Sequence, residues 1–230
     1  MKIETHAHTA EVSPCANVDA KTMITAYSKC GYDAVVITDH FKYEVVGLFG
    51  GSDREKVERY LLGYRIAKEL EQELKINVLL GTEVCLNEGL EDFLIFGIDE
   101  DFLFDNPRIY ECTQRELFRE TEAAGALLYQ AHPCRGYCEP KDPFLLHGTE
   151  VYNGNPRHDN HNDRAFAWAS SYPHLLMSSG SDYHQTPDLG RGGVIIQDPA
   201  KINTSVDLCE YFKNNKPKLI TDKKGENENV

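Results

Sequence analysis

The sequence is short of positive charge: 24 Lys and Arg stand against 37 Asp and Glu, a formal net charge of −13 over 230 residues. The summed field repels phosphate backbones, which excludes a nucleic acid as a stable partner and an acidic membrane surface. A small phosphorylated substrate would need local positive charge, from bound metal ions or a few arginines. No apolar run approaches the length of a membrane span. The start, Met-Lys-Ile-Glu, lacks the basic and then apolar pattern of a secretion signal, and the seven cysteines are an odd number. A secreted disulfide framework is therefore not expected. The reading is a reducing cytoplasm, with Cys30, Cys85 and Cys209 as small buried hydrophobes. Cys134 and Cys138 form a C-x3-C spacing beside His132, but nothing nearby completes a structural zinc set. Repeats, low-complexity tracts and linkers are also missing. Residues 1–221 read as one domain, and the charged residues 222–230, without apolar anchors, as a disordered tail.

What is present is a series of apolar runs that each end on ligand chemistry. The opening strand carries His6 and His8, two residues apart and so on one face. Ala34-Val35-Val36-Ile37 leads to Thr38-Asp39-His40, Ile76 to Leu80 leads to Glu83, and Ala126 to Ala131 leads to His132. Leu175 to Ser179 leads to Asp182 and His184. Polar residues have no reason to collect at one end of every strand unless they bind something there.

Between these runs lie helical patterns: Ala20 to Cys30 behind the cap Asp19, Asp53 to Leu74 as one long helix, Thr113 to Ala124 behind a capping box, His158 to Ser170, and Ser205 to Phe212. Residues 41–52 read as a flap over the second strand end. Phe93 to Ile98 forms a fourth strand ending on Asp99, Glu150 to Asn153 a sixth, and Lys218 to Ile220 an edge. Seven strands alternating with helices, with polar residues at the strand C-termini, predict an α/β fold: a parallel (β/α)7 barrel rather than an open sheet with one switch point.

His6-x-His8-Thr9, Thr38-Asp39-His40, Gly81-x-Glu83, His132-Pro133 and Ser181-Asp182-x-His184 resemble, in order and spacing, the PHP domain of the polymerase and histidinol phosphatase superfamily, over residues 1–197. The resemblance implies a distorted seven-stranded barrel with two or three divalent metal ions, Zn, Mn or Fe, at the strand C-terminal face, hydrolysing phosphoesters. It implies that His6, His8 and Asp182 hold one metal, that Glu83 bridges to a second held by His132, and that His40 and His184 hold a third. Many members carry two further histidines. Here Asp99 stands in place of one, and Glu11, Ser13 or Cys15 in place of the other, Glu11 being the best substitute. More oxygen ligands would move preference toward manganese or iron.

Asp39 reads either as an orienting group or as a cap on the following turn, and a histidine such as His184, or Asp39, as the general acid. Arg135, Arg157 and Arg191, in loops at the expected mouth, are candidates to bind the phosphoryl group, Arg135 first. Glu150 and Asn153 are placed to support the site by hydrogen bonds. His147, His158, His161 and His174 belong to no strand-end motif. Two other readings stand beside this one: an amidohydrolase-like barrel cleaving C–N or C–O bonds, and a non-catalytic regulatory domain of the same fold.

Overall fold

A computed structural model describes residues 1–197 and 202–221. The tail expected at 222–230 lies outside the described residues. Ten strands form one sheet: β1 (Lys2–Ala7), β2 (Ala34–Ile37), β3 (His40–Phe41), β4 (Asn77–Cys85), β5 (Asp92–Phe96), β6 (Leu127–Gln130), β7 (Gly148–Asn153), β8 (Leu176–Gly180), β9 (Val194–Ile195) and β10 (Lys218–Leu219). Nine lie on one hydrogen-bonded path, β10-β9-β1-β2-β4-β5-β6-β7-β8, with β3 paired to β4. The path nearly closes on itself. Ala7 bridges to Tyr183 just past β8, Tyr183 N–H donates to His6 O at 3.1 Å, and Thr5 Oγ1 donates to Ser179 O at 2.6 Å.

The strands follow a period of two, with both faces covered. Ile3, Val36, Leu79, Leu94, Phe96 and Tyr129 pack together with Leu208 and Phe212 of the last helix. Val35, Ile37 and Val78, on the opposite face, pack against Met23, Ile24 and Tyr27. The helices are α1 (Ala20–Lys29), α2 (Asp53–Tyr60), α3 (Leu62–Glu69), α4 (Glu71–Leu74), α5 (Glu100–Asp105), α6 (Gln114–Ala123), α7 (Asn162–Ser170) and α8 (Ser205–Asn214). Asp19 caps α1 by accepting from Thr22 N–H, and Thr113 with Glu116 forms the capping box of α6. No helix among the described residues is long and apolar enough to cross a membrane.

Four expectations change. The single helix over 53–74 is three, broken at Leu61 and Leu70. The breaks bring Tyr60 O–H onto Asp39 O at 2.6 Å and let Gly63 pass so close to Thr9 that a Cβ there would lie 2.0 Å from its hydroxyl. Strand β5 is antiparallel to both neighbours, because residues 86–91 make a turn too short for a crossover helix. Helix α7 begins at Asn162, so His158 lies in the preceding loop. Cys30 is exposed rather than buried, since it caps the solvent end of α1.

Candidate metal centre

Glu83 lies at the middle of the site, near the C-terminal end of β4. Its Oε1 is 3.1 Å from His6 Nε2 and 3.3 Å from His132 Nε2. Its Oε2 is 2.7 Å from His40 Nδ1 and 3.4 Å from His8 Nε2. Asp182 Oδ1 faces the same rings, 3.5 Å from His6 Nε2, 3.4 Å from His8 Nε2 and 3.2 Å from His184 Nδ1. Four overlapping triads bring their ligand atoms within 4.8 Å of one another: His8-His40-His184, His6-Glu83-His132, His6-His8-Asp182 and His40-Glu83-Asp92. His132 and Asp182 hold positive φ, 28° and 50°, a conformation costing about 1 kcal/mol or more that the surrounding bonds must hold.

His6 Nε2, His8 Nε2, His40 Nδ1 and both oxygens of Glu83 are buried and make no hydrogen bond. Five such atoms facing one another would be costly in a site meant to be dry and vacant, because each lost its water on burial. Divalent cations fit them: imidazole nitrogens and carboxylate oxygens at strand ends are the donors that zinc, manganese and iron take.

The electrostatics are those of a carboxylate and imidazole cluster out of water. Burial pushes the Glu83 carboxyl up, but the rings of His6 and His40 outweigh it and hold the group well below its usual range. Burial likewise raises Asp182, and His6 and Arg135 bring it well below. Burial lowers His40, while Glu83 raises it to about 10. His184 also ends at about 10, its burial outweighed by Asp182 and Cys15. His8, buried beside His184 and His40, is driven well below its ordinary value.

A second layer fixes these groups. His6 Nδ1 donates to Glu150 Oε1 at 3.0 Å, which leaves Nε2 facing the centre. The other oxygen of Glu150 accepts from His132 N–H at 3.0 Å and Asn153 Nδ2 at 2.8 Å. Glu4 Oε1 accepts from the N–H groups of Thr5, His6 and Ser181, and its Oε2 from Tyr27 O–H. Burial raises this carboxyl to about 7 against those bonds. Asp39 accepts from Thr9 N–H, Thr9 Oγ1 and Ser13 Oγ, each at 2.7 Å. It therefore organises the loop after β1, and burial raises its carboxyl to about 6.

The structure brings His6, His8, His40, Glu83, His132, Asp182 and His184 together, and leaves two of the expected ligands apart. Asp99 is exposed and caps α5, accepting from Phe102 N–H. With β5 reversed, its end lies away from Glu83, while the start of the strand lies beside it: Asp92 pairs opposite Cys85. Glu11 accepts from Ala20 N–H with both oxygens, at the start of α1.

The three arginines have partners. Arg135 is buried and donates to Asn160, Asn153 and Asp182, Arg157 to Asp188, and Arg191 to Pro187 O. His147 accepts from Leu128 N–H, His174 bonds Pro143 O, and Cys134 and Cys138 join none of the triads.

Asp92 and Lys42, near the centre, were not among the sequence candidates, and Cys15 was offered there but ranked below Glu11. Asp92 was hidden by the strand direction. Cys15 lies near His184 and His40: burial pushes its thiol up, but the two rings bring it down to about 6. Lys42 is half-buried, and although burial lowers its ammonium, Asp92 and Glu83 lie close enough to raise it above its ordinary value. The short spacing from His40 to Lys42 was the available signal for the lysine.

No family model matches the sequence, and no curated protein matches it. Solved structures do share its fold. PsfC from Pseudomonas syringae superposes with a TM-score of 0.68 at 16% identity, covering 96% of this chain and 91% of that one. A two-domain protein from Bacteroides vulgatus, containing a predicted PHP-like metal-dependent phosphoesterase, gives 0.52 at 18% identity over 95% of this chain. This chain spans only 57% of that protein. An amidohydrolase from Chromobacterium violaceum, solved with bound sulfate and without metal, gives 0.54 at 16% identity, covering 83% and 90%.

Proposed function

We propose that this chain is a metal-dependent phosphoesterase of the PHP type, cleaving phosphoric monoesters of a small substrate. The observation that carries the reading is the set of five buried, unbonded donor atoms on His6, His8, His40 and Glu83. His6, His8 and Asp182 would hold one cation, Glu83 would be shared, and His132 with Asp92 would complete a second. Bound cations would supply charge for the phosphoryl oxygens and acidify a water.

The residues have definable tasks. Glu150 holds His6 in the tautomer that presents Nε2. Arg135 holds Asp182 by one oxygen and leaves the other for the centre. Lys42 offers an ammonium near Asp92, a cation for an anionic substrate on an otherwise acidic protein. While no cation occupies its nitrogen, His184, more than nine-tenths buried and charged in the metal-free chain, would be able to give a proton to a leaving oxygen.

The competing reading is an amidohydrolase, since one protein of this fold carries that name. The test is a panel of small phosphate monoesters and N-acyl compounds assayed with the chain reloaded by zinc, manganese or iron. Hydrolysis of monoesters alone supports the proposal, and cleavage of the amides alone overturns it. No turnover in either set, with metals bound, would favour a regulatory domain.

A further inference from the structure

We infer that Glu4 is a positioning residue: its carboxylate holds the bulge in β1 that turns His6 and His8 into the barrel, and ties that bulge to the loop carrying Asp182. The inference rests on the metal-dependent reading above and adds the group that delivers its first ligands.

Between Glu4 and Ala7 strand β1 advances by three residues, while β2 advances by two, from Val35 to Ile37. Strand β1 therefore carries one extra residue. The two faces record the same slip. Ile3 packs with Val36 and Leu79, whereas Ala7 packs with Val35, Ile37 and Tyr27. On a regular strand residues four apart share a face. With Ile3 in place, a regular β1 would turn His6 and His8 toward α1, on the side of Glu4 and Tyr27. The extra residue turns them inward instead, and His6 Nε2 comes within 3.1 Å of Glu83 Oε1.

A bulge takes backbone groups out of the ladder, and buried ones need another partner. Here that partner is Glu4: its Oε1 accepts from Thr5 N–H at 3.0 Å and from His6 N–H at 2.9 Å. The same oxygen accepts from Ser181 N–H at 2.8 Å, one residue before Asp182 and its φ of 50°. Tyr27 O–H occupies Oε2 at 2.8 Å. Glu4, Thr5, His6 and Ser181 are all fully buried, so water cannot stand in for the carboxylate. Glu150 fixes the ring of His6 from the side chain. Glu4 acts on its backbone, and joins that backbone to the strand end from which Asp182 comes.

The test compares Glu4→Leu, Glu4→Gln and Tyr27→Phe in the full chain. Three quantities are read: zinc affinity by competition with a chelator, melting of the metal-free protein, and amide hydrogen exchange by NMR. Glu4→Leu removes the acceptor, so zinc affinity should fall about 10- to 100-fold. The amides of Thr5, His6 and Ser181 should exchange at least about tenfold faster. Glu4→Gln keeps an oxygen within reach of the three N–H groups and should recover part of both losses, since a neutral acceptor is weaker than a charged one. Tyr27→Phe removes a buried hydrogen bond that holds no ligand; it should lower the melting temperature and leave zinc affinity at the wild-type value. That split separates positioning from stability.

Unchanged zinc affinity, or unchanged exchange at the three amides, in Glu4→Leu overturns the inference. So does a loss of affinity in Tyr27→Phe as large as that in Glu4→Leu. If Glu4→Leu does not fold, Glu4→Gln decides: wild-type affinity and wild-type exchange there overturn the inference as well. A wild type that binds no zinc ends the metal-dependent reading instead, and the exchange measurement still decides whether Glu4 holds the bulge and the Asp182 loop.

Discussion

Asp182 divides its two oxygens between Arg135 and the histidines: Oδ2 is 2.5 Å from Arg135 Nη2, while Oδ1 is 3.4 Å from His8 Nε2 and 3.5 Å from His6 Nε2. A guanidinium expected at the mouth of the site is thus committed to positioning a ligand. Arg135→Lys keeps the charge but loses the planar fork that also reaches Asn153 and Asn160. Metal affinity should fall about 10- to 100-fold, the usual cost of losing such a partner. Competition with a chelator measures it, and unchanged affinity would remove Arg135 from this role.

Among the described residues, Glu83 is the one carboxylate facing four histidines. Glu83→Gln should therefore remove two metal equivalents and lower activity at least about 100-fold, more than His184→Ala does. Elemental analysis with parallel kinetics checks this; equal losses would end the bridging assignment.

Proton release should accompany metal loading. His40 and His184 stand at about 10 without metal, so both are charged at a pH of about 8 and must become neutral to bind. Calorimetry in buffers of different ionisation enthalpy reads the protons directly. The sign for stability follows from pKa values raised in the folded chain. The rings stabilise the metal-free protein fully below their ordinary value of 6.5, and that contribution is lost as pH rises through about 10. Thermal melts of the metal-free chain should fall across that window.

Gly180 packs at the end of β8, where an added Cβ would lie 2.4 Å from His6 Cβ and 2.7 Å from Glu150 Oε1. Gly180→Ala should cost about 1–3 kcal/mol through overpacking and loosen His6. Gly136, where a Cβ meets nothing within 4 Å, is the control. A variant at Gly180 with wild-type melting and metal content would refute this reading.

Much of the site was visible in the sequence because each ligand follows its own strand at short range: His6 and His8 on β1, His40 after β2, Glu83 in β4, His132 after β6, Asp182 and His184 after β8. Strand direction was not visible. A run such as Phe93-Leu94-Ile95-Phe96 reads the same both ways, so Asp99 at its far end looked as suitable as Asp92 at its start. Side-chain partnership was equally hidden. Arg135 sits three residues past a ligand, as a substrate-binding residue would, yet Asp182, Asn153 and Asn160 reach it from distant parts of the chain. Seven strands were read for the barrel where the sheet path holds nine: β10 falls within the edge expected at Lys218 to Ile220, while β9, only two residues long, carries no periodic signal.

The reversed strand also sets where this barrel can change. Because β5 runs against β4, the turn between Leu86 and Glu91 rises at the same rim as Glu83 and Asp92, and Asn87, Glu88 and Leu90 are exposed there. Its ends are already held together by the β4–β5 ladder. Each doubling of such a loop adds only about 0.6 kcal/mol of closure entropy. New sequence could be spliced at this point to reshape what the rim admits, without disturbing any histidine or the helices that wrap the sheet.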